Sequence, residues 1–161
     1  SARHVDTVRG LGCYDEVIAY DALETLDAAQ PAVYVDMAGD AALRRRIHGH
    51  WGERLGHSAS VGGTHWQELG GARGLPGPRP TLFFAPARAA ERAAPPPDGW
   101  GTDGLMRQIG EAWSALMARV DDPARPWLTI VEEEGSAAIE AAWRAAVAGR
   151  ADPREGRMLR P

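Results

Sequence analysis

Three short apolar runs alternate with helix-like segments in the first sixty residues, and this rhythm most constrains the fold. Residues 15–20 (DEVIAY), 32–39 (AVYVDMAG) and 57–63 (HSASVGG) read as strands. Each ends in a turn residue or a polar residue. Strands alternating with helices predict an α/β fold with a parallel sheet and ligand chemistry at the carboxyl ends of the strands. A first strand followed by a Gly-rich turn, the unit expected to open such a sheet, is not present in the sequence.

Helix signals fill the gaps. Residues 4–11 read as a helix with Val5 and Val8 on one face, and the glycines at 10 and 12 as its stop. Residues 21–29 read as a short helix ended by Pro31. Residues 32–37 are apolar on both faces, as in buried parallel strands. Asp40 is placed to cap a helix over 41–51, with Leu43, Ile47 and Trp51 inward and Arg44 and Arg45 toward solvent. Residues 67–80 hold four glycines and three prolines and read as loop. A strand over 81–85 stops at Pro86, and 87–100, with Pro95, Pro96 and Pro97, reads as a second connection carrying a helical turn. Residues 103–120 predict an amphipathic helix with Leu105, Met106, Ile109, Trp113, Leu116 and Met117 inward. A strand over 127–131, an acidic turn at 132–134, a helix over 136–148 capped by Ser136 and stopped by Gly149, and a last strand over 156–159 complete the chain.

Composition narrows the function. Net charge is −4 and pI about 5.7, which argues against a nucleic-acid surface. All 18 basic residues are arginine. A lone Cys13 excludes an internal disulfide and a cysteine zinc cluster. The chain has no apolar run of about 20 residues and no signal-like opening, so a cytoplasmic protein is the expectation. His48 and His50 lie two apart on a predicted helix and diverge by about 200°, so no metal is expected. A histidine-metal hydrolase is therefore a distant rival.

Several residues suit a dinucleotide. Arg3 and His4 precede the first helix and would suit a 2′-phosphate; otherwise they are solvated residues near a chain end. Tyr20 ends a strand and offers a hydroxyl; the plain alternative is a boundary tyrosine. Gly39 permits close backbone approach. Backbone groups of Val61, Gly62 and Gly63 would face a nicotinamide, and Thr64 or His65 would donate to a substrate oxygen; the plain alternative is a loop histidine. Phe84 and Ala85 form an apolar wall or plain core.

The order LGCYDEVIAY (11–20), VYVDMAG (33–39), then Gly52, Leu55 and Gly56 ahead of Val61 and Gly62, resembles the rear half of a medium-chain dehydrogenase/reductase. Residues 141–161 resemble the family's terminal helix and closing strand. The wording GCYD, DMAG, VGGTHW, PGPRPTLFFAP and WGTDGL resembles a branch known as a domain of unknown function, related to the zinc-free quinone oxidoreductases. The resemblance implies an incomplete, doubly wound Rossmann-like domain over 1–121 that binds NADP(H). It implies that 122–161 form a strand–helix–strand returning to a catalytic domain. Ser1, Arg3, His4 and Tyr20 would hold the 2′-phosphate. The turns at Gly39, 61–64 and 84–86 would line the nicotinamide. The implied activity is NADPH-dependent, zinc-free reduction of a carbonyl, enone or quinone, in a homodimer acting on a small molecule. The rival class is a non-catalytic nucleotide-binding or interaction module. The pyrophosphate turn and substrate domain are missing from these residues, so the chain alone is expected to be inactive and of marginal stability, with open strand edges.

Overall fold

A computed structural model describes residues 2–63, 73–124 and 126–161, with no account of the Arg3 side chain. The chain is mixed α/β and divides into two compact units, Ser1–Gly99 and Trp100–Pro161.

The first unit begins with a 3-10 turn, Ala2–His4, and helix α1, Val5–Gly10. The apolar run at 15–20 differs from expectation: among the described residues it pairs with no strand, only Ala19 at its end is extended, and Tyr20 opens a 3-10 helix, Tyr20–Thr25. A β-prone run becomes a ladder strand only when a neighbour supplies its hydrogen bonds. The helix expected over 21–29 is shortened to that single 3-10 stretch. Strand β1, Ala32–Asp36, helix α2, Ala41–Trp51, and strand β2, Leu55–Ser60, follow as a strand–helix–strand unit. Strand β3 is only Thr81–Leu82, because Pro86 sits in the first turn of helix α3, Ala85–Ala93, rather than merely ending a strand.

The sheet order is β1-β2-β3 and every pair is parallel. Val33 to Asp36 pair with His57 to Ser60, and the register slips once beside Ala32. α2 covers one face. Its Leu43 and Ile47 bury with Leu23, and Leu26, Tyr34 and Trp51 pack around them. Val33 and Val35 alternate to the opposite side and are 65% and 50% exposed. β1 is therefore not buried on both faces, contrary to the sequence reading. Asp40 caps α2 as expected, its carboxylate accepting from the Ala42 and Leu43 amides at 2.8 and 2.9 Å.

His48 pins the loop that follows β2. It is fully buried, with Nδ1 2.8 Å from the Pro76 carbonyl oxygen and Nε2 3.0 Å from Ser58 Oγ. A carbonyl only accepts, so Nδ1 carries the proton and Ser58 donates to Nε2. Gly77 is required beside this anchor. A Cβ there would lie 2.3 Å from the Gly52 carbonyl oxygen, and its φ is +75°.

The second unit contains helix α4, Gly101–Val120, strand β4, Thr129–Glu134, helix α5, Ser136–Val147, and strand β5, Glu155–Arg160. β4 and β5 are parallel and α5 is their crossover. α4 forms where its periodicity predicts, but Met106, Ile109, Trp113 and Leu116 are exposed rather than inward. Helical spacing creates an apolar stripe without specifying a partner for it. The acidic run is strand, not turn. Glu132 and Glu133 meet Arg160 and Arg157 of β5 at 2.8 Å each. Ser136 is the first helical residue and makes no capping bond; Gly135 holds the cap position. The helix does stop at Gly149, where the Gly149 and Arg150 amides return to the Ala146 and Ala145 carbonyls. Among the described residues no helix is long and apolar enough to cross a membrane.

The two caps should differ on mutation. Asp40→Ala should lower unfolding free energy by about 1 kcal/mol. Ser136→Ala should stay within about 0.5 kcal/mol of the parent. Urea titrations of both variants provide the comparison.

Candidate functional site

Parallel pairing puts the carboxyl ends of β1, β2 and β3 on one edge of the sheet. The turns leaving β1 and β2 are bonded to each other. The Asp36 carbonyl accepts from the Val61 and Gly62 amides at 2.9 and 3.0 Å. Gly62 lies so close to the first turn that a Cβ would sit 2.3 Å from the Met37 carbonyl oxygen. The Phe83 amide donates to the Ser60 carbonyl at 2.8 Å, which ties in the end of β3.

Asp36 organises this edge and is only 2% exposed. One carboxylate oxygen accepts from the Gly39 amide at 2.8 Å and fixes the turn after β1. The other accepts from Arg44 Nε and Nη2 at 3.0 and 2.7 Å. The Tyr34 phenol on the same strand also favours the charged form of Asp36. Burial pushes the Asp36 carboxyl up, but the Gly39 amide, the Arg44 guanidinium and Tyr34 outweigh it and hold it below the usual carboxylate range. Burial, then the Asp36 charge, pushes the Tyr34 hydroxyl well above the usual phenol range. Arg44 is buried in this pair rather than pointing to solvent, which corrects the sequence reading; Arg45 is exposed.

A groove of about 490 Å³ opens beside β1, with Ile18, Tyr20, Val35, Met37 and Trp51 among its walls. The predicted residues distribute around this frame as follows. Tyr20 is 47% exposed and shares the groove with Met37 and Ala38. Gly39 sits in the Asp36 turn, and Val61, Gly62 and Gly63 lie immediately beyond β2. Phe84 is 57% exposed at the start of α3, with Ala85 next to it, and neither lines the groove. His4 is half-buried in the opening 3-10 turn, away from the groove lining. Ser1, the side chain of Arg3, Thr64, His65 and residues 67–72 of the expected loop lie outside the described residues.

This edge is suited to binding. Asp36 is committed to Arg44 and Gly39, and His48 is sealed, so neither can act as a base toward a substrate. Tyr20, about half exposed, lies beside the apolar wall of the groove. Asp40 already occupies the amino-terminal amides of α2, so that helix end does not fit a pyrophosphate. His50 Nε2 donates to the Leu26 carbonyl at 2.9 Å, so this ring is also tied to the backbone. Among the described residues no three of His, Cys, Asp and Glu come together as metal ligands.

The sequence reading missed Arg44, His48, Ser58 and Tyr34. A signal was present in α2. Positions 43, 44, 47, 48 and 51 form one wide stripe, and two polar residues within such a stripe announce buried polar partners.

Compared with known families, residues 1–152 match the family described as "Protein of unknown function (DUF2855)". The chain belongs to that family. No curated protein and no solved structure matches it.

Asp36→Asn should cost about 3 kcal/mol at pH 7, because Arg44 is left buried without its counter-charge. The sign with pH follows from the lowered Asp36 value. This stabilisation is complete above the unfolded-chain value of about 3.9 and is lost as pH falls through the lower folded value. Denaturant titrations at pH 7 and below pH 4 should therefore show the gap between parent and variant closing in acid.

Proposed function

We propose that this chain is the nucleotide-binding part of an NADPH-dependent, zinc-independent oxidoreductase that reduces a carbonyl, enone or quinone. On this reading the parallel sheet is the rear portion of a Rossmann-like, doubly wound domain of the medium-chain dehydrogenase/reductase type, and 122–161 return to a catalytic domain. The observation that carries it is the carboxyl edge. Two turns leaving parallel strands are locked backbone to backbone through Asp36, Val61 and Gly62, with Tyr20 beside them. Open α/β sheets bind ligands at that edge.

NADPH, when bound, supplies a hydride that passes to a substrate carbon. The chain's own residues bind and orient. Tyr20, in the groove, is assigned to the adenine-ribose phosphate, and the family resemblance adds Ser1, Arg3 and His4, of which His4 lies outside the groove lining. The turns at Gly39 and 61–63, with Phe84 and Ala85, face the nicotinamide side. Thr64 and His65 are the donors assigned to the developing oxyanion. One observation favours a second reading, a nucleotide-binding module without catalysis: Asp36 and His48, the two buried titratable groups nearest this edge, are both committed to structural partners.

Calorimetric titration of the full-length protein with NADPH and with NADH tests the proposal. NADPH should bind more tightly and raise the melting temperature. Tyr20→Phe should weaken NADPH roughly three- to tenfold, the worth of one hydrogen bond. NADPH consumption with quinone and enone acceptors then separates the two readings. No NADPH binding by the full-length protein would exclude both.

A further inference from the structure

We propose that Arg44 is a positioning residue for the nicotinamide half of the bound dinucleotide. It touches no ligand. Acting through Asp36, it fixes the spacing between the turns that leave β1 and β2. The inference rests on the nucleotide reading above and adds a residue to it.

The chain of contacts starts inside the protein. The Arg44 side chain is 8% exposed and does not line the groove. Its Nε and Nη2 both donate to Asp36 Oδ2, at 3.0 and 2.7 Å. Asp36 Oδ1 is thereby left to accept from the Gly39 amide at 2.8 Å. Two convergent donors on a rigid guanidinium fix the plane of the carboxylate, which the compact ammonium of a lysine does not. The plane of the carboxylate fixes where the Gly39 amide sits. Arg44 on α2 therefore sets the path of the turn at 37–39.

The two turns have no slack between them. The Asp36 carbonyl accepts from the Val61 and Gly62 amides at 2.9 and 3.0 Å. A methyl on Gly62 would lie 2.3 Å from the Met37 carbonyl oxygen. Movement of the first turn is passed to the second by close-packed backbone rather than absorbed. On the nucleotide reading both turns face the nicotinamide, so a change in their spacing misplaces that ring.

The other end of the ligand is held by different contacts. Tyr20, assigned to the adenine-ribose phosphate, opens the 3-10 helix Tyr20–Thr25. Leu23 buries this helix against Leu43 and Ile47 of α2. Glu24 ties it to α2 a second time, accepting from Arg46 Nε and Nη2 at 2.9 and 2.7 Å. Neither anchor passes through Asp36. Loss of the Arg44 fork is therefore felt at one half of the ligand.

Calorimetric titration of the full-length protein with two ligands tests the proposal. One is NADPH. The other is adenosine 2′,5′-bisphosphate, which keeps the adenine-ribose phosphate and lacks the nicotinamide. Arg44→Lys keeps the charge and removes the fork, so it leaves the through-space attraction for an anionic ligand in place. It should weaken NADPH about tenfold through a misplaced ring. The bisphosphate should stay within about twofold of the parent. Gly62→Ala leaves the Asp36–Arg44 pair intact and wedges a methyl between the turns; it should give the same pattern. Equal weakening of both ligands by Arg44→Lys, or no weakening of NADPH, would overturn the inference. Unchanged NADPH affinity in Gly62→Ala overturns it too, and decides the question if Arg44→Lys fails to fold. A parent that binds NADPH, with a variant that loses both ligands equally, sinks this inference alone. A parent that binds neither ligand sinks the nucleotide reading and this inference with it.

Discussion

A carboxylate buried at the end of a strand must be fully partnered or it unfolds the structure around it. Asp36 meets that demand with a turn amide and a guanidinium, and the Tyr34 phenol further favours its charge. Each partner belongs to a different piece of chain. Gly39 sets the turn out of β1, Arg44 holds α2 against the sheet, and Tyr34 belongs to β1 itself. The Asp36 main chain binds the turn after β2 through its carbonyl. One residue therefore couples the strand, its helix and the next turn. The orientation of the carboxyl edge follows from satisfying that single charge.

The rest of the first unit depends on polar contacts in the same way. Among its described residues His48, Asp36 and Ser58 are almost completely buried, and of the apolar side chains Leu55 matches them while Leu23, Leu43 and Ile47 are slightly less buried. Apolar side chains that would thicken this core are on the surface instead: Val33, Val35, Met37 and Leu82. Hydrogen-bonded polar networks specify geometry well, but each member is costly to lose. A sheet held in this way has well-defined turns and a bare edge.

Much of the fold was legible because helix and strand signals are local. The Asp40 cap, the α2 span, the β1 and β2 runs and the Gly149 stop all follow from residue type and spacing. Errors arose where a partner decides the outcome. Residues 16–19 have strand composition and, among the described residues, no strand to pair with. α4 has an inward pattern and nothing over it among the described residues. Glu132, Glu133 and Glu134 look like a solvated turn until Arg157 and Arg160 are placed opposite them by the β5 register. Arg44 looks like a surface cation because an arginine's burial depends on an acid eight residues earlier. The tips at Gly39 and Gly62 were legible from their glycines. The atoms that lock them together were not, because the Asp36 network is tertiary.

The carboxyl edge depends most directly on the Asp36–Arg44 pair, and a double-mutant cycle measures that pair. Unfolding free energies of the parent, Asp36→Asn, Arg44→Met and the double variant give the coupling. A buried, hydrogen-bonded pair that organises the carboxyl edge predicts a coupling of about 2 kcal/mol or more. Additive effects, with a coupling within about 0.3 kcal/mol of zero, would mean that the two side chains do not act together and that the edge is held by something else.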